Sequence, residues 1–145
     1  MSDEQPGVDL TGRLEILDAA ECIRRIESVP IGRIGFMADG RPLVLPVNFI
    51  WHEGGVVFRT LEGQKLAAAA QEQDVCFEVD EWDHETHTGW SVVMTGRARQ
   101  VTEWAEIELL ERVGVVPWTK AEWRPLWIRV DPDVARRTNI FSGYG

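Results

Sequence analysis

Arg59 and Lys65 stand on either side of Gly63 in the stretch VVFRTLEGQKLAAAA (56–70), between an apolar run of β type and an alanine-rich run of helical type. That spacing puts Arg59 and Thr60 at the end of a strand and Lys65 in the first turn of the following helix. Together they can surround an anion: Arg offers a planar fork, Lys a point charge, and a helix N-terminus unpaired N–H groups with a favourable dipole. The same cations also fit ordinary solvated charges, because no GxxxxGK[ST] pattern accompanies them. The stretch by itself leaves both readings open.

Other chemistry-bearing residues are fewer. The acidic run DEWDHETH (80–87) carries Asp80, Asp83, His84, Glu85 and His87, but its histidines are spaced by three rather than the four of HExxH, and the only other histidine is His52. An acidic hairpin loop is expected there and no metal site. No GxSxG motif is present, and no histidine can be paired by sequence with Cys22 or Cys76, so no nucleophile is assigned. Seven tryptophans first supply core and interface area, although Trp90 after Gly89 and Trp118 after Pro117 could also flank a flat ring.

The elements that must position these residues follow from periodicity. Residues 1–13 read as a flexible arm and 14–145 as one domain. Asp18 with Glu21 forms a capping box, Leu17 with Cys22 a hydrophobic staple, and Ala19, Cys22, Ile23 and Ile26 an apolar helical face ending before Pro30. The period then changes to that of strands: 31–38, the turn Asp39-Gly40, 42–51, the turn HEGG, and 56–60 predict an antiparallel meander. Pro46 requires its strand to lie at an edge or to carry a bulge. A short helix over about 64–71 precedes strands at 75–83 and 88–102. In the second of these, Trp90, Val92, Met94 and Ala98 alternate with Ser91, Thr95, Arg97 and Arg99. Glu103 to Val113 is helical, with Trp104, Ile107, Leu110 and Leu109 inward, and strands at 126–133 and 134–141 complete the sheet. The fold class is α+β, mainly β: a β-barrel with short flanking helices.

A length of 145 residues suits one domain, and 44% hydrophobic with 27% charged residues is an ordinary globular composition. The net charge of −9 argues against a general nucleic-acid binder. Neither a signal-peptide pattern nor a run of 18 apolar residues occurs, so a cytoplasmic location without membrane insertion is expected. Cys22 and Cys76 both sit in apolar patterns and read as buried, reduced thiols.

The order of ECIRRIESVPIGRIGF (21–36), RPLVLPVNFIW (41–51), VVFRTLEGQKLAAA (56–69), VCFEVDEWD (75–83) and TGWSVVMTGRARQV (88–101) resembles the pyridoxamine 5′-phosphate oxidase-like flavin-binding split-barrel superfamily, in particular its small single-domain bacterial members. The likeness covers about residues 14–132. It implies a six-stranded split β-barrel that forms a homodimer with cofactor sites at the interface. It also implies an FMN-dependent oxidoreductase of unidentified substrate. Pro46, Val47 and Asn48 would present backbone groups to the flavin ring, Arg59, Thr60 and Lys65 would hold the phosphate, and Trp90 and Ser91 would approach from the other subunit. Two alternatives remain open: an F420-dependent reductase whose cofactor tail would need a basic groove from Arg24, Arg25, Arg97 and Arg99, and a flavin- or haem-binding carrier or sensor without turnover. The C-terminal arginine–histidine motif of the vitamin B6 oxidases is not matched, so that substrate is not expected.

Overall fold

The computed structural model describes residues 16–61, 73–112, 125–133 and 141–144. They form α1 (Ala19–Glu27), β1 (Ile31–Ala38), β2 (Arg41–His52), β3 (Gly55–Leu61), β4 (Asp74–Asp83), β5 (Thr88–Gln100), α2 (Trp104–Glu111), β6 (Pro125–Pro132) and β7 (Phe141–Tyr144). The expected helix over 64–71, with Lys65, lies outside the described residues, as do Trp118 and the arm over 1–13. Most of the strand expected over 134–141 lies outside them too; the last described strand is β7, which starts at Phe141.

Asp18 caps α1 by accepting the Glu21 N–H at 2.8 Å. The reciprocal half of the capping box is replaced, because the Glu21 carboxylate turns along the helix to Arg24 and Arg25, at 2.8 Å from each. The β1–β2 and β2–β3 connections are two-residue turns in which both residues have positive φ: 53° and 73° at Asp39 and Gly40, 47° and 78° at Glu53 and Gly54. This primed geometry matches the twist of antiparallel strands, and Gly adopts it without a Cβ penalty.

The strands run in the order β4-β1-β2-β3-β6-β5, and β4 also pairs with β5, which closes a six-stranded antiparallel barrel. β7 adds to β5 at Ser91–Met94. Inward positions of the strands, with Cys22 and Ile26 of α1, form the main core, including Ile34, Phe49, Phe58, Phe77, Val92, Met94 and Ile128. Phe49 and Phe77 meet edge to face with centroids 4.7 Å apart. A second cluster sits on the outer side of β3 and β6, where Ile107 and Leu110 of α2 cover Val57, Val101 and Trp127.

Two sequence expectations are corrected. Trp104 is 73% exposed and Leu109 is also exposed, because the patch under α2 admits only the Ile107–Leu110 row. Cys76 is exposed, unlike the buried Cys22; period two along β4 sends Val75, Phe77 and Val79 inward and Cys76 outward. Among the described residues, no helix is long and apolar enough to cross a membrane.

Candidate functional site

β2 follows β1 without interruption from Asn48 to Arg41. Its pairing with β3, in contrast, begins at Phe49↔Phe58 and runs only to His52↔Gly55. β3 continues instead on β6 through Arg59↔Trp127 and Thr60↔Leu126. The two strands therefore part at Asn48 and Arg59, between two of the sequence-predicted segments, and beyond this point no described strand pairs with β2 on that side.

A hydrogen bond fixes which backbone groups face this side. The Phe49 N–H donates to the Pro30 carbonyl at 3.2 Å. By the alternation of an antiparallel ladder, Val47, Leu45 and Leu43 then also bond toward β1, whereas Asn48, Pro46, Val44 and Pro42 direct their backbone groups to the β3 side, where the ladder ends at Phe49↔Phe58. Both prolines occupy positions where the missing N–H falls on that side. Pro46 thus lies at a local edge, and the constant β1–β2 register leaves no bulge.

The side chains divide between two faces. Val47 and Thr60 are buried, inward of the wall. Pro46, Asn48 and Arg59 lie on the outer side, Pro46 exposed and the other two half-buried. The Arg59 guanidinium lies 5.1 Å from the centroid of the buried Trp127 ring, within cation–π range. Sequence reading did not select Trp127, since its contact depends on the β3–β6 register between distant segments. The arrangement provides a held cation beside a strand edge, suited to an anionic group attached to a flat one.

Trp90 and Ser91 are not joined to this place within one chain. They sit on β5, opposite Glu81 and Asp80 of β4. The path from β5 across β4 and β1 to β2 spans three strand spacings, roughly 14 Å at about 4.8 Å each. Trp90 is held where it is: its Nε1–H donates to Glu81 Oε1 at 3.4 Å, and the Arg25 guanidinium lies 5.3 Å from its ring centroid. With Arg25, Glu81, Trp82, Asp83 and His84 it lines a cleft of about 530 Å³.

The acidic segment 80–87 forms the β4–β5 hairpin end. Asp83 Oδ1 accepts the N–H groups of Glu85 at 2.8 Å and Thr86 at 3.2 Å, an Asx-type turn. The four arginines considered for a basic groove all have carboxylate partners: Arg24 and Arg25 on Glu21, Arg97 on Asp74, and Arg99 on Asp131 and Glu106. The hydrogen bonds from Arg24 and then Arg25 hold the Glu21 carboxyl below its ordinary range.

Comparison with known proteins agrees with this architecture. The family model for pyridoxamine 5′-phosphate oxidase matches residues 18–139. The uncharacterized protein Rv0080 of Mycobacterium tuberculosis is 30% identical over 131 residues, covering 87% of this chain and 85% of that protein. Among solved structures, the FAD binding protein from Mycobacterium smegmatis is 36% identical with a TM-score of 0.72, over 89% of this chain and 97% of the other. A conserved protein of unknown function from Corynebacterium diphtheriae is 30% identical with a TM-score of 0.71, over 91% and 97%. With a family model spanning most of its length and a closed barrel of the matching form, the chain belongs to the pyridoxamine 5′-phosphate oxidase family.

Proposed function

We propose that this chain is a homodimeric, flavin-dependent oxidoreductase that holds FMN where β2 and β3 part. The observation that carries this reading is Arg59, set over the buried Trp127 ring where the two strands part. A phosphate there would meet the Arg59 fork, with Lys65 as the second cation of the same sequence stretch. The carbonyl of Pro46 is directed to the same side, and Pro46, Val47 and Asn48 would border the isoalloxazine there. Trp90 and Ser91 would reach the ring from the second copy, which accounts for their separation from Arg59 in one chain.

When bound, the flavin supplies the hydride or electron chemistry. The protein residues position its tail and border its ring, and none is assigned as an acid or base.

One observation favours a variant of this reading. The Mycobacterium smegmatis protein at 36% identity is a FAD binding protein, so FAD is the natural competitor for the same site. The deazaflavin F420 has less support, since an acidic tail would have to displace the carboxylates already paired with Arg24, Arg25, Arg97 and Arg99. The test is the absorbance spectrum and mass of the chromophore that copurifies, followed by parallel titrations of the stripped protein with FMN, FAD and F420. A flavin spectrum with tightest binding of FMN is expected. Failure of all three to bind would remove the reading, and tighter FAD binding would replace FMN while keeping the site.

A further inference from the structure

We infer that the indole N–H of Trp127 is a further donor to the phosphate at Arg59, and that it makes this end of the site select a terminal phosphate monoester over a diphosphate linkage, a role that rests on the flavin reading proposed above.

Trp127 stands on β6 opposite Arg59 on β3. Its neighbour Ile128 enters the main core, so alternation along the strand turns Trp127 to the outer side. There it packs with Val57, Val101 and, from α2, Leu110 and Ile107, and is 3% exposed. A buried indole N–H ordinarily has an acceptor, because water no longer reaches it. Trp127 Nε1 is buried and has none among the described residues. Arg59, whose guanidinium carbon lies 5.1 Å from the ring centroid, cannot serve, since guanidinium and indole are both donors without an acceptor. Two donor-only groups side by side are satisfied together by an anion with several oxygens.

Reach and the number of oxygens single out a monoester. With each N–H···O contact about 2.9 Å long, one phosphate can join donors about 5–8 Å apart, and the indole nitrogen falls within that span of Arg59. A guanidinium fork engages two oxygens at once. A terminal phosphate keeps a third free oxygen for the Trp127 N–H, whereas each phosphorus inside a diphosphate linkage has only two non-bridging oxygens, both engaged by the fork. Access to the N–H does not require the fold to open. The cover of Trp127 includes the half-buried Arg59 side chain, which can turn about its own bonds toward an arriving anion while α2 stays in place.

The test is titration of the stripped full chain, wild type and Trp127→Phe, with FMN, FAD and riboflavin, together with the indole region of a proton–nitrogen correlation spectrum. Trp127→Phe keeps an aromatic ring beside Arg59 and removes the N–H. It should weaken FMN binding about fivefold or more and leave riboflavin and FAD within about twofold of wild type. The indole resonance absent from Trp127→Phe, or assigned through the β6 backbone should that variant not fold, should move downfield when FMN is added to the wild type and stay in place with riboflavin. Unchanged FMN affinity in Trp127→Phe, an equal loss for riboflavin or FAD, or an indole resonance that ignores FMN would each overturn the proposal. FMN binding with that resonance unmoved keeps the flavin reading and removes this donor. If no flavin binds, the flavin reading falls and inorganic phosphate decides the donor: a shift of the Trp127 resonance keeps it, and none removes it.

Discussion

Arg59 is held by strand geometry below and an aromatic ring beside it: β3 carries it along β6, and Trp127 supplies a buried surface for the guanidinium. Truncating that surface should cost both packing and position. Trp127→Leu is expected to lower unfolding free energy by roughly 2–4 kcal/mol, as large-to-small changes in cores do, and urea denaturation showing an unchanged midpoint would contradict the packing role. Asp131 offers a pH test. Burial raises its carboxyl pKa, but hydrogen bonds from Arg129 and Arg99 more than offset this and leave it below the ordinary aspartate value. A depressed folded pKa contributes stability that is present above the unfolded value, about 3.9, and is lost as pH falls through the lower folded value. The stability difference between wild type and Asp131→Asn should therefore shrink on acidification through that range; a constant difference measured by thermal melts would refute the assignment. At this scale legibility in the sequence was uneven. The FRT strand end pointed to Arg59, whereas Trp127 gave no local signal, and the apolar setting of Cys76 concealed that strand parity turns it outward.

At the scale of elements, the parting of the strands depends on β2 pairing from Arg41 to Asn48 with β1 but only at its end with β3. Pro46 announced a local edge because it lacks a donor, though not that the neighbouring strand would leave two residues farther on. The turns at Asp39-Gly40 and Glu53-Gly54 were legible because few sequences favour positive φ at two successive positions. Barrel closure is less local. Gly96 pairs with Val75 of β4 and with Pro132 of β6, and a Cβ there would collide with the Asp131 carbonyl oxygen. Gly96→Ala should destabilise the fold by about 1–3 kcal/mol, since backbone rather than a flexible side chain must yield; an unchanged melting temperature would show that the corner relaxes freely. Asp18→Ala should cost about 1 kcal/mol through the lost N-cap, read as a lower urea midpoint. No loss would mean that α1 is held by Cys22 and Ile26 alone.

For the whole molecule, the family's split barrel was legible because five short motifs occur in one order, each weak singly. The resemblance assigned Trp90 and Ser91 to the other subunit; the sheet order adds that β5 and β2 lie on opposite sides of β4 and β1, which no local pattern shows. In the proposed dimer, a second copy would bring Trp90 and Ser91 to the Arg59 end of the site. The central claim, a flavin held by its phosphate where β2 and β3 part, is tested most directly by titrating FMN into stripped wild-type and Arg59→Ala protein and following flavin fluorescence. Loss of the charge-assisted fork should weaken binding by about tenfold or more while the melting temperature stays near wild type; equal dissociation constants for the two proteins would contradict the account.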